Sequence, residues 1–287
     1  MQFGSFEIFL LTDGLFELGR HFMRELGGGE NPKAEKPAFG RKKRLLVAIN
    51  PVLIRSGERL ILCDTGIGTQ HRERPCPLPP AGAPSPVVKQ LAALGFSPED
   101  VTDIILTHLH YDHAGGLTCL DGDLNPAPVY PNARIFVQAD EWEAAQKALY
   151  QPESAYRTEN WGVYQESPAL YLLDGGEEIL PGIRVVKTGG HTAGHQVILI
   201  DGGDGRKAAF PGDLIPTPAH FSPGLKMKFD DSPDRAKEWR RRLVEQTLRE
   251  NRLLFFYHAP VVRAGYPYKK TGAAIKVRKA DIPVTAI

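Results

Sequence analysis

The segment Thr107-His108-Leu109-His110-Tyr111-Asp112-His113 places three imidazoles and a carboxylate within six residues, directly after the apolar run Thr102–Leu106. In extended chain, residues two apart project to one side, so His108 and His110 face the same way. Asp112 and His113 follow where the chain can turn into a helix and aim from another direction. Imidazole nitrogen and carboxylate oxygen are both good zinc ligands, and a catalytic site needs such ligands with one position left open. Gly115-Gly116 lets backbone pass close by without a side chain in the way. A lone histidine is more often a core or surface residue than a ligand. Four ligand-type groups at this density beside an apolar strand point instead to a divalent metal. A metal held there makes water a nucleophile at neutral pH, with no need for a serine or cysteine.

Cysteine offers no second chemistry. Cys63, Cys76 and Cys119 lack CxxC spacing and cannot complete a disulfide framework, which suits a reducing compartment. Cys119 reads as a small core residue, and His21 and His71 as surface residues. The formal net charge of +1 gives no reason to expect nucleic acid. The runs Arg41-Lys42-Lys43-Arg44 and Arg240-Arg241-Arg242 read as solvated surface. No stretch approaches the roughly 18 apolar residues of a membrane span. The opening MQFGSFEIFLLTDG has no basic leader followed by an apolar run and a cleavage site. The expectation is a cytoplasmic protein acting on a small molecule.

The elements that must position the motif are mostly short strands. Phe6–Leu11 reads as a strand ended by Asp13-Gly14. Val47–Ile54 and Arg59–Asp64 flank Ser56-Gly57-Glu58, a hairpin signal. A Pro-rich stretch leads to a helix over Val87–Leu94, closed by Gly95. Arg134–Val137 is a strand, and Asp140 is a candidate N-cap for a helix to Leu149. Ile183–Lys187, Gln196–Asp201, Lys207–Phe210 and Leu253–Tyr257 are further strands. Ser232-Pro233 opens a helix running to about Asn251. Strands outnumber helices, and the helices fall between groups of strands, which predicts sheets covered by helices. Without a repeat or a clean linker, residues 1–287 read as one domain. Residues 19–44 form a long polar, Gly-rich excursion. Together with 150–171 they are expected to build a pocket wall or a dimer contact through Phe22, Met23, Phe39, Tyr156, Trp161 and Tyr164.

THLHYDHAGG resembles the HxHxDH motif of the metallo-β-lactamase superfamily, and the family's other motifs appear in order. Asp64 in Leu62-Cys63-Asp64-Thr65-Gly66 is similar to the strand-end aspartate that supports the site from behind. His191 in Gly190-His191-Thr192-Ala193-Gly194-His195 resembles the third-motif ligand, Asp213 the carboxylate shared by two metals, and His258 the final histidine. The resemblance implies an α+β fold, a four-layer αββα sandwich. It implies two divalent ions, expected to be zinc with iron or manganese as alternatives. His108, His110 and His191 would hold one, Asp112, His113 and His258 the other, and Asp213 both. His195 is expected beneath the loop that presents His191. His220, seven residues after Asp213, is expected to line the pocket or donate a proton.

The branch most similar over the whole chain holds acyl-homoserine lactonases and methyl-parathion-hydrolase-like enzymes, often homodimers. The implied reaction is cleavage of a lactone or ester by a metal-bridging hydroxide, with Asp112, Asp213 and His220 taking part. Phosphotriesterase, thioesterase and mononuclear-iron sulfur dioxygenase chemistry are the alternatives on the same fold. Two departures matter. The position where true zinc β-lactamases place a cysteine is taken by Asp213, which counts against antibiotic hydrolysis. Some lactonases carry a tyrosine three residues after the shared aspartate, where this chain has Pro216. No Arg or Lys stands in residues 107–118, 188–197, 211–222 or 255–261, so a neutral, fairly apolar substrate is expected.

Overall fold

In the strand β6 (Arg59–Cys63) every residue after the first is buried, and alternate side chains leave on opposite faces. Ile61 and Cys63 join one apolar cluster, while Leu60 and Leu62 join another. A strand apolar on both faces must be covered on both, and this requirement builds the whole molecule. The computed structural model describes residues 1–18, 45–70, 83–148, 154–221, 227, 229–270 and 274–283.

Two sheets of seven strands each are present among the described residues. The first runs β1 (Gln2–Phe3), β2 (Phe6–Leu10), β5 (Val52–Ser56), β6, β7 (Asp103–Ile105), β10 (Arg134–Gln138) and β11 (Leu170–Leu173). It is antiparallel as far as β6 and parallel beyond. The second runs in chain order through β12 (Glu178–Leu180), β13 (Ile183–Lys187), β14 (Gln196–Asp201), β15 (Lys207–Phe210), β16 (Leu253–Phe255), β17 (Ala264–Tyr268) and β18 (Lys276–Lys279). Only its β15–β16 pair is parallel, because helix α5 (Pro233–Glu250) provides the crossover between them.

Between the sheets lie Ile8, Ile54, Ile61 and Ile105 from one side and Val185, Ile198, Phe210 and Phe255 from the other. The outer face of the first sheet packs Leu53, Leu62 and Val137 under helix α1 (Pro86–Ala93) and helix α3 (Ala139–Lys147). The outer face of the second packs Val197, Ala209 and Leu254 under Ala236, Leu243 and Val244 of α5. Helix, sheet, sheet and helix make the αββα sandwich of the metallo-β-lactamase type. No helix among the described residues is long and apolar enough to cross a membrane.

The expected hairpin at Ser56-Gly57-Glu58 is present, with Ser56 opposite Arg59. The run Val47–Ile54 is two strands. Asn50-Pro51 breaks it, and β4 (Leu45–Ile49) leaves the sheet to pair with β3 (Gly14–Leu18). The helix expected to start after Asp140 starts at Ala139 with Gln138 at its cap, and Asp140 instead pairs with Lys187. Trp161 and Tyr164 do not form an exposed wall or dimer contact. Trp161 is buried against Trp142, with ring centroids 5.0 Å apart, and the Tyr164 hydroxyl donates to the Leu117 carbonyl at 3.1 Å. Their apolar area goes into the core under the first sheet. Phe22, Met23 and Phe39, with the rest of 19–44, lie outside the described residues, as do His21, His71 and Cys76.

Candidate metal centre

Strands β6 and β7 run parallel, so both end at the same edge. Asp64 follows β6 in the left-handed region, at φ 54°, and is completely buried. Its Oδ1 accepts the Thr107 backbone N–H at 2.7 Å, and its Oδ2 accepts the Thr107 hydroxyl at 2.8 Å. The same Oδ2 lies 2.7 Å from His113 Nδ1. The chain past β7 then turns into the short helix α2 (Tyr111–Ala114) and is pulled back by Thr65, whose N–H donates to the His113 carbonyl at 2.7 Å. Gly116 permits this approach, because a Cβ there would sit 2.2 Å from the Thr65 carbonyl oxygen.

Four imidazoles are fixed at Nδ1 and offer Nε2 inward. His113 donates to Asp64. His108 Nδ1 lies 3.0 Å from the Thr107 hydroxyl oxygen, whose own hydrogen goes to Asp64. His191 Nδ1 meets Asp230 Oδ1 at 3.1 Å, and His258 Nδ1 meets the Ala48 carbonyl at 2.9 Å. A donor spent at Nδ1 fixes the tautomer and leaves a lone pair at Nε2.

Asp213 stands between the two halves of the cluster. Its Oδ1 is 3.1 Å from His258 Nε2 and 3.4 Å from His113 Nε2, while Oδ2 is 3.3 Å from His191 Nε2. Asp112 Oδ2 lies 3.6 Å from His258 Nε2 and 3.9 Å from His113 Nε2. The rings of His108, His110 and His191 lie within 5.1 Å of one another. Three sets have ligand atoms within 4.8 Å of one another: His108, His110 and His191; His108, His113 and Asp213; Asp112, His113 and His258. All seven residues named from the sequence therefore meet at one edge of the sandwich.

The electrostatics of the set are those of a cation site. Burial and the neighbouring imidazoles hold His108 and His110 well below the ordinary histidine range. Burial also opposes charge on His113, but Asp213, Asp112 and Asp64 outweigh it and carry His113 well above that range. Burial raises Asp213 too, yet His258, His113 and His191 together hold it well below the carboxylate range. Nε2 of His108, His113 and His191 and Oδ1 of Asp213 are buried without a hydrogen-bond partner. Buried polar atoms left unpaired are costly, and nitrogen and oxygen donors converging at this spacing fit zinc or another divalent ion.

His195 and His220 fall outside the three sets. His195 lies behind the cluster, its ring 5.5 Å from His108 and 5.8 Å from His191, with Nδ1 held by the Thr188 hydroxyl at 2.8 Å. His220 is buried, with Nδ1 2.9 Å from the Thr217 hydroxyl. Burial and the nearby Arg240 push it down to about 3, so at neutral pH it is an uncharged imidazole.

Two supporting residues were not apparent from the sequence. Asp230, which orients His191, is buried and 3.7 Å from Arg240. Arg240 also donates through Nε to the Leu214 carbonyl at 2.8 Å, next to Asp213. A run of three arginines reads as surface, but on α5 only Arg240 faces inward, toward the metal edge. An acidic residue just before a helix N-cap was the one available signal for Asp230.

A metallo-beta-lactamase superfamily model matches residues 45–258. An N-acyl homoserine lactonase from Bacillus cereus is 30% identical over 217 residues, 72% of this chain and 79% of that protein. A Bacillus sp protein of the same name is 32% identical over 173 residues, 60% of this chain, and the match spans only 61% of its length. A probable metal-dependent hydrolase from Staphylococcus aureus superposes with a TM-score of 0.83 at 27% identity, over 99% of this chain and all of that one. AidC, a dizinc quorum-quenching lactonase in complex with a product, superposes at 0.76 with 26% identity, over 99% and 97% of the two chains. Motif order, layer order and the family model agree, and the chain belongs to the metallo-beta-lactamase superfamily.

Proposed function

We propose that this chain is a dinuclear metal-dependent hydrolase of small, neutral ester-like substrates, with lactones first. The observation that carries the reading is the convergence of the Nε2 atoms of His113 and His191, both without a hydrogen-bond partner, on the Asp213 carboxylate, with His108 in the same ligand-spaced set. His108, His110 and His191 would hold one ion and Asp112, His113 and His258 the other. Asp213, with one oxygen toward each half, would be common to both. When bound, two divalent ions supply Lewis acidity and bring the pKa of water from about 15.7 toward 7.

The protein's own part is to hold these donors rigidly at one edge of the sandwich. Each Nδ1 contact keeps an imidazole from turning, and Asp213 offsets positive charge at the centre. Zinc is the favoured ion because the relatives include a dizinc lactonase and the donors are nitrogen and oxygen.

Substrate choice follows from charge. Strongly anionic substrates need a clamp of Arg or Lys. Cations do approach the motif segments from outside: Arg157 Cζ lies 5.8 Å from the Tyr111 ring centre, Arg235 Nε donates to the Thr188 carbonyl at 2.8 Å and Arg240 Nε to the Leu214 carbonyl at 2.8 Å. Each is held by a main-chain carbonyl, Arg157 by that of Ser154, and with no Arg or Lys within the motif segments themselves a neutral substrate is favoured. The lactonase names of the relatives put lactones ahead of aryl esters, phosphotriesters and glutathione thioesters. The test is a kinetic panel on the zinc-loaded chain. A neutral N-acyl homoserine lactone or ester should give the highest kcat/KM, and a phosphodiester or sulfate ester ahead of all of them would overturn the reading.

A further inference from the structure

Glu141 lies outside every motif, yet it is completely buried on α3, whose side chains otherwise pack Trp142 and Ala145 under the first sheet. Four donors converge on its carboxylate. Oε1 accepts the Leu109 backbone N–H at 2.9 Å and the Tyr156 hydroxyl at 3.0 Å. Oε2 accepts the Thr192 hydroxyl at 2.5 Å and the Gly194 backbone N–H at 3.1 Å. Leu109 stands between His108 and His110, and Thr192 follows His191 directly. The Tyr156 ring in turn packs against His110 at 5.0 Å.

We infer that Glu141 is the positioning residue that ties the His108–His110 segment to the His191 loop and so sets the geometry of one triad alone. This rests on the reading that His108, His110 and His191 hold a metal. The other triad has its own supports, Asp64 for His113 and the Ala48 carbonyl for His258, and none of them touches Glu141. Gly194 fits the same purpose, since a Cβ there would stand 2.2 Å from the Glu141 nitrogen. The loop can close on the carboxylate only without a side chain at that point.

The arrangement demands a carboxylate specifically. Each oxygen takes one backbone N–H and one hydroxyl. A hydroxyl can rotate to accept, but a backbone N–H cannot. Glutamine, of nearly the same shape, must therefore set its amide NH2 against either the Leu109 or the Gly194 N–H, whichever way it is flipped.

The experiment is a zinc titration of the full chain against a chromogenic chelator, comparing wild type, E141Q and Y156F. The step belonging to each triad is assigned with H110A and H258A. In E141Q the step lost in H110A should weaken by about 10- to 100-fold, the range for removing a partner behind a metal ligand, while the step lost in H258A stays within about 3-fold. Y156F, which keeps the ring and removes one donor, should weaken the same step by a smaller factor, and it carries the test if E141Q does not fold. Two unchanged steps, or equal weakening of both as a general loss of fold would give, overturn the positioning role. Wild-type chain that takes up no zinc overturns the metal reading itself, a separate result.

Discussion

Asp64 Oδ2 and His113 Nδ1 lie 2.7 Å apart although 49 residues separate them. That contact joins the end of one parallel strand to the turn after the next, and both partners are fully buried. It makes the metal edge a property of the sheet rather than of a loop. D64N keeps the shape but replaces an acceptor-only group by an amide. It should weaken zinc binding by about 10- to 100-fold, read as zinc retained after dialysis against a graded chelator series. Unchanged affinity would mean that His113 is oriented by something else.

D213A should remove the group shared by both halves of the cluster. Loss of at least one metal and nearly all hydrolysis is expected, measured by elemental analysis and turnover on the same preparation. Retention of both metals with full turnover would contradict the shared assignment of Asp213.

Asp230 and Arg240 form a buried pair behind His191. D230A removes the carboxylate beside the buried Arg240 and leaves His191 Nδ1 without its acceptor. A loss of about 1–3 kcal/mol is expected, as for a buried polar group left without its hydrogen-bond partner. Urea unfolding of D230A and wild type, both metal-free, checks it. A loss under about 1 kcal/mol, the range of an exposed pair, would contradict the linkage.

His220 gives a pH dependence with a definite sign. Its folded pKa is pushed down to about 3, against about 6.5 in the unfolded chain. The unfolded chain thus binds a proton that the folded one refuses. Its neutral burial costs nothing above about pH 6.5, and stability is lost as pH falls below that, by up to about 1.4 kcal/mol per pH unit. H220N should show a shallower fall in metal-free stability between pH 7.5 and 5 than wild type. Equal slopes would mean that His220 is solvated or paired when protonated.

The density of ligand types in residues 107–113 made the metal edge legible from the sequence, because those neighbours in sequence are also neighbours in space. The two-sided apolar strands and the order of the motifs carried the sandwich. What stayed hidden is long-range. Asp230 lies 39 residues from His191, and Glu141 lies 51 from Thr192. A single acidic residue, on a helix like Glu141 or before one like Asp230, looks like surface until the fold buries it. Trp161 and Tyr164 misled for the converse reason: a segment with poor periodicity reads as exposed, yet its aromatic rings fill the space under the first sheet. The break at Asn50-Pro51 was visible as a proline but not as a change of sheet.

The most direct measurement is lactone hydrolysis by metal-free chain as zinc is added back in measured equivalents. Activity should be absent at the start and rise to a plateau at about two equivalents per chain, as a paired site requires. Full turnover before any zinc is added, or a preparation whose activity follows one bound iron and ignores zinc, would contradict the dinuclear hydrolase.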